Sequence, residues 1–314
     1  MHPDNATDSP TLSPTSNASD SPTTNPTGSA GNGATGSATR PEQVGYEAEH
    51  VDYEVVDEHI AVITLNRPQA ANAQNPKVLR ELDEAWQAAD ADAEVRVIIL
   101  RSTGKHFSAG HDMSGTESDV PRPAWTPDSG YDWETRHYLH YAKTWRDIPK
   151  PSIAAVQGKC IAGGLMLCWP CDLIVAADNA EFSDPVLHMG IGGVEYHGHT
   201  WELGARKAKE LLFTGGPVTA AEALGLGMVN RVVPLDDLYP ATLELARRIA
   251  RQDPFALRMA KRAVNHTLDV QGFSTAVDSV FDMHHLAHAR AALRNNGTPS
   301  LAGLTSMKNR GRSS

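Results

Sequence analysis

Three segments hold the residues best suited to chemistry. Phe107-Ser108-Ala109-Gly110-His111-Asp112 follows the apolar run 96–100, and Gly158-Lys159-Cys160-Ile161-Ala162-Gly163-Gly164 follows the run 152–156. Small residues at the end of a strand let a backbone approach a ligand and expose its N–H groups. Gly163-Gly164 also opens a predicted helix, whose N-terminus favours an anion. Two such N–H sources on neighbouring strands suit an oxyanion hole, in which donors point at developing negative charge. Ordinary glycine turns are the alternative.

The third segment runs from Asp184 through His188 and Glu195 to His197 and His199. Carboxylates and imidazoles are the usual proton-transfer groups. Asp184 precedes Pro185 and reads equally as a turn cap. Glu195 lies in the glycine-flanked stretch GIGGVEY and is the better acid/base candidate. An apolar pocket there would raise its pKa. His188, Glu195, His197 and His199 are also metal-ligand types. Cys168-Trp169-Pro170-Cys171 has the spacing of a redox pair, but it ends a predicted helix rather than starting one. Both thiols therefore read as small packing residues.

The elements that must position these residues follow from pattern. Residues 51–57 and 59–65 are rich in β-branched side chains and predict a hairpin turning near Asp57-Glu58. On a helix over 76–90, Val78, Leu79, Leu82, Trp86 and Ala89 share one face. The runs 96–100, 152–156 and 172–176 predict buried strands, with a Pro- and Asp-rich loop over 117–132 and a helix over 133–147. Alternating strand and helix predicts a mostly parallel sheet with crossovers. From 200 onward the pattern is helical: 200–212, 219–225, 235–251, 254–268 and 272–294.

Composition narrows the class. Residues 1–45 are dominated by Thr, Ser, Pro, Asn, Gly and Ala, so a disordered tail is expected there; it has neither the basic start nor the apolar run of a signal peptide. The formal net charge of −10 argues against nucleic acid. No apolar run approaches the ~20 residues of a membrane span, and three cysteines, an odd and sparse set, suit a reducing cytoplasm.

ITLNRPQAANAQN at 63–75, VIIL ending at 100 and FSAGHD ending at 112, KPSIAAVQGKCIAGG at 150–164 and CDLIVAADNAEFSDP at 171–185 resemble the crotonase (enoyl-CoA hydratase/isomerase) superfamily. ELLFTG and AAEALGLGMVNRVVP extend the resemblance, which spans roughly 50–295. It implies an α/β, crotonase-like fold of repeated ββα units with a helical C-terminal region. The expected division is a tail over 1–45, a core over 46–235, a helical trimerisation region over 236–296 and a flexible tail over 297–314.

The resemblance further implies an acyl-CoA thioester substrate, no cofactor and no metal, and a homo-trimer or a hexamer built from two trimers. By motif position the oxyanion donors are the N–H groups of His111 and Gly163. Gln69, Ala70 and Ala71, with Ser108, Ala109 and Gly110, match the CoA-binding segments, and Met166 joins the substrate-binding set. The chain departs from hydratases at the two positions where they carry glutamate. Met166 stands three residues after Gly163, and Val186 stands after Pro185. Neither side chain moves a proton, so Glu195 or Asp184 must act instead. The competing expectations are isomerisation, hydrolysis or C–C cleavage, and an acyl-CoA-binding paralogue without catalysis.

Overall fold

The computed structural model describes residues 48–114 and 124–294, so the expectations for 1–45 and 297–314 lie outside it. Strand β1 (Val51–Val56) pairs antiparallel with β2 (Ile60–Leu65). Asp57 and Glu58 both take positive φ in the turn between them. Helix α1 (Pro76–Ala91) begins where the Asn75 side chain accepts the N–H of Val78, and it buries Leu82, Ala85 and Trp86. Strand β3 (Val97–Ser102) then pairs parallel with β2.

Helix α2 (Pro127–Glu134) starts inside the predicted loop, because Thr126 and Ser129 form a reciprocal capping box. A π-helical turn (Thr135–Leu139) joins it to α3 (His140–Asp147). The expected continuous helix over 133–147 is thus broken in phase. Strand β4 (Ser152–Val156) is buried along its whole length and pairs parallel with β3. Next come β5 (Lys159–Ile161), a 3-10 turn (Ala162–Gly164), the short α4 (Leu165–Cys168) and β6 (Leu173–Ala177).

The remaining elements are β7 (Glu181–Ser183), α5 (His199–Thr214), β8 (Val218–Thr219), α6 (Ala220–Leu226), β9 (Arg231–Val233), α7 (Leu238–Ala250), α8 (Pro254–Val270) and α9 (Phe273–Arg294). The main sheet has the order β1-β2-β3-β4-β6-β9 and is parallel except at β1. A second sheet, β5-β7-β8, is built from strands of two or three residues.

Buried apolar runs in β2, β3 and β4 require cover on both faces. On one face Ile60, Val62, Val97, Ile99, Ile153 and Val175 pack against Leu238, Ala246 and Ala250 of α7. The helix after 235 therefore shares the core of the sheet. Helix α8 has no buried residue, whereas α9 buries Phe273, Val277, Phe281 and three histidines.

Candidate functional site

The two predicted loops meet. Gln74 accepts the N–H of Asp112 and donates its own to the carbonyl of Gly110, at 2.9 and 2.8 Å. This bridge engages the residues on either side of His111, so the His111 N–H faces away from Gln74. Ser108 pairs with the other loop by donating to Lys159 and accepting from Ile161. Gly110 has φ +86, and a Cβ there would stand 2.7 Å from the Ile161 carbonyl and 3.2 Å from the Gly163 nitrogen. Only glycine lets the two backbones come this close. Gly163 lies in the 3-10 turn, at the start of a helical segment where N–H groups lack intrahelical acceptors.

The other segment assigned to CoA lies alongside. Pro68–Ala70 forms a 3-10 turn, Ala71 follows in the left-handed region, and its carbonyl accepts the Ala109 N–H at 2.9 Å. Gln69 and Ala109 are exposed, while Ser108 and Gly110 are buried. The Ser108 hydroxyl donates to the Asn72 carbonyl at 2.8 Å, which ties this loop to the β3 loop. Met166 and Val186 are both buried.

The side chain of His111 had no expected role, and its position is the main finding at the site. Its ring lies on Gly163, with Cε1, Nδ1 and Nε2 at 2.9–3.1 Å from where a Cβ would stand. Tyr138 stacks against it at a centroid distance of 4.0 Å and 11°. Tyr138 comes from the π-helical turn, a feature frequent at functional sites. Nε2 of His111 lies 3.1 Å from Glu195 Oε2, and Nδ1 is buried without a hydrogen-bond partner among the described residues.

Glu195 is 5 % exposed. Burial alone would raise its pKa, but His111 and His284 outweigh burial and hold the carboxyl below its ordinary value. The expected rise is therefore overturned: the pocket is lined by imidazoles, not only by apolar groups. Asp184 points elsewhere. It is fully buried, and its Oδ2 accepts the Val194 N–H at 2.8 Å and lies 2.9 Å from His199 Nε2. His197 Nε2 meets Thr200 at 3.1 Å. The His197 and His199 rings lie 4.7 Å apart, but among the described residues 188–199 supply no group of three ligand atoms close enough to share an ion.

Behind Glu195 lies a cluster that pattern reading missed. Glu134 at the end of α2 meets His284, His285 and His288 of α9. His284 Nε2 is 3.3 Å from Glu134 Oε2 and 3.8 Å from Glu195 Oε1. Burial disfavours charge on His284, yet the two carboxylates prevail and raise its pKa to about 9. Burial opposes ionisation of Glu134 too, but its histidines hold it well below the ordinary range. The spacing HHLAH at 284–288 was the available signal, hidden in a helix read only for packing.

The family model for enoyl-CoA hydratase/isomerase matches residues 56–300. The chain belongs to the enoyl-CoA hydratase/isomerase family. A crystal structure of a probable enoyl-CoA hydratase from Mycobacterium smegmatis shares 61% identity, covers 81% of this chain and all of that one, and superposes with a TM-score of 0.76. An enoyl-CoA hydratase/isomerase from Xanthobacter autotrophicus Py2 is 33% identical, with coverage of 83% and 97% and a TM-score of 0.73. EchA13 of Mycobacterium tuberculosis, named as a candidate enoyl-CoA hydratase, is 45% identical over 77% of this chain and 82% of its own. These matches support the expected α/β crotonase fold and an enzyme of this family. Among the described residues no helix is long and apolar enough to cross a membrane.

Proposed function

We propose that this enzyme transforms an unsaturated acyl-CoA thioester, with the backbone N–H groups of His111 and Gly163 as oxyanion donors. The His111–Glu195 pair does the acid/base work. The observation that carries this reading is the His111–Glu195 contact of 3.1 Å at the surface of Gly163. An anionic Glu195 accepts Nε2–H, which fixes the tautomer and leaves the Nδ1 lone pair free to take a proton. Two N–H groups stabilise the enolate oxygen that forms as the proton leaves. The residues of 69–71 and 108–110 hold the CoA portion. Asp184 serves as a structural acceptor, not as a second acid.

Hydration remains the first reading on the names of the relatives. The buried Met166 and Val186 favour isomerisation as the second, because one dyad can remove and return a single proton. Incubation with crotonyl-CoA and with a longer unsaturated acyl-CoA, followed by mass spectrometry, separates the two. A gain of water mass supports hydration, and a shifted double bond at constant mass supports isomerisation. Tight binding without turnover of either would replace both by an acyl-CoA-binding role.

The same reading places the enzyme in the cytoplasm as a homo-trimer or hexamer. Phe255, Val264 and Val270 on α8 are exposed at 62–74% in the single chain, which supports association of copies. Light scattering that finds a monomer at micromolar concentration would remove this part.

A further inference from the structure

The buried cluster at the junction of α2 and α9 contains more donors than the acid/base reading uses. Glu134, His284 and His285 each offer one ligand atom, and these atoms all lie within 4.8 Å of one another. Individual separations are 3.3 Å from Glu134 Oε2 to His284 Nε2 and 2.9 Å to His285 Nε2. Bonds of about 2.0–2.1 Å in a tetrahedral zinc site place neighbouring donors about 3.3 Å apart. The His284 separation equals that spacing, the His285 separation is somewhat shorter, and all three ligand atoms lie within 4.8 Å of one another.

Direction and charge agree with distance. His285 Nε2 stands 2.9 Å from Glu134 Oε2 and His288 Nδ1 stands 3.5 Å from Glu134 Oε1, both as ion-pair contacts with that carboxylate. Both nitrogens are buried and aimed into the cluster, where the Glu134 carboxylate is the partner they share. The outer nitrogen of His284, Nδ1, lies 2.7 Å from the Gly193 carbonyl. A metal-bound histidine is typically oriented in this way by its second nitrogen. Two carboxylates, Glu134 and Glu195, face His284 in this cavity, at 3.3 and 3.8 Å.

We infer that Glu134, His284 and His285 form a binding site for a divalent cation of the zinc class, with His288 as the nearest further donor. Imidazole with one carboxylate suits zinc and its borderline neighbours rather than calcium or magnesium, which prefer all-oxygen shells. Such an ion would tie α9 to α2, one residue removed from the His111–Glu195 pair. The inference stands apart from the proposed reaction, because it concerns occupancy and not turnover.

The test uses the full-length chain, stripped by chelator and titrated with zinc chloride, with bound metal measured by mass spectrometry after dialysis. One zinc per chain is expected. His285→Ala should weaken binding by about 100-fold or more, and His288→Ala by about 10–100-fold, as for an outer partner. His197→Ala, outside the cluster, should leave it unchanged. If a variant fails to fold, zinc-edge X-ray absorption of the wild type counts its imidazole ligands directly, and at least two are expected. Substoichiometric zinc in folded wild type, unchanged affinity in His285→Ala, or fewer than two imidazoles on the ion would each overturn the site.

Discussion

His111 and Glu195 lie 84 residues apart in the chain and 3.1 Å apart in the fold. The contact gives one residue two separable functions, since the backbone N–H of His111 can serve the oxyanion while its imidazole serves the proton. Replacement of the side chain leaves the N–H in place.

His111→Asn should therefore lower turnover by about 10²–10⁴, the range for loss of a general acid or base. Acyl-CoA affinity measured by calorimetry should change little. Turnover at the wild-type rate would confine His111 to its backbone role.

Glu195→Gln keeps the shape but removes the anion that orients the ring. A loss of about 10²-fold in turnover is expected, with binding retained. If the carboxylate acts only through His111, the His111→Asn/Glu195→Gln double variant should be hardly slower than His111→Asn alone. Fully additive losses would show that Glu195 acts independently.

Gly163→Ala tests the packing of the ring. The new Cβ would stand 2.9–3.1 Å from three atoms of His111, so the imidazole must move. Turnover should fall by an amount comparable to His111→Asn. Gly163→Pro instead removes the N–H and should cost about 10²–10³ if that group binds the oxyanion. Circular dichroism checks that each variant folds, and full activity of folded Gly163→Pro would exclude the donor.

Asp184→Asn should act on stability. The carboxylate is fully buried and accepts the Val194 N–H beside His199. Breaking this pair costs about 3 kcal/mol, or roughly 6–12 °C in melting temperature for a domain of this size. Activity per folded molecule should remain within a few-fold of wild type. A folded, normally stable but inactive variant would return Asp184 to the catalytic group.

Glu202 makes stability depend on pH. Burial raises its pKa from 4.5 to about 7, so the folded state favours the neutral acid. Its contribution is fully favourable below 4.5 and is lost as pH rises through 7. Glu202→Gln should thus leave melting near pH 4.5 almost unchanged and raise stability at pH 8 by at most about 3 kcal/mol. Parallel melting curves for the two proteins across this range would show that the proton is not retained.

Much of this protein is legible in local pattern. The apolar runs at 96–100, 152–156 and 172–176 are β3, β4 and β6, with ends that agree to within two residues, because a strand buried on both faces must be apolar along its length. The five C-terminal helices likewise lie where their periodicity puts them. The loops carrying His111 and Gly163 follow from small residues at strand ends. Tertiary structure alone decided the rest. Strands of two or three residues in β5, β7 and β8 are too short for any period to emerge. The π-helical turn that brings Tyr138 to His111 breaks the phase on which helix reading depends. Glu195 was recognisable as a carboxylate, but the pocket around it was not, since its partners His111 and His284 come from distant loops and helices. The sign of its pKa shift was decided there, because side-chain charge acts through space and leaves no periodic mark along the chain.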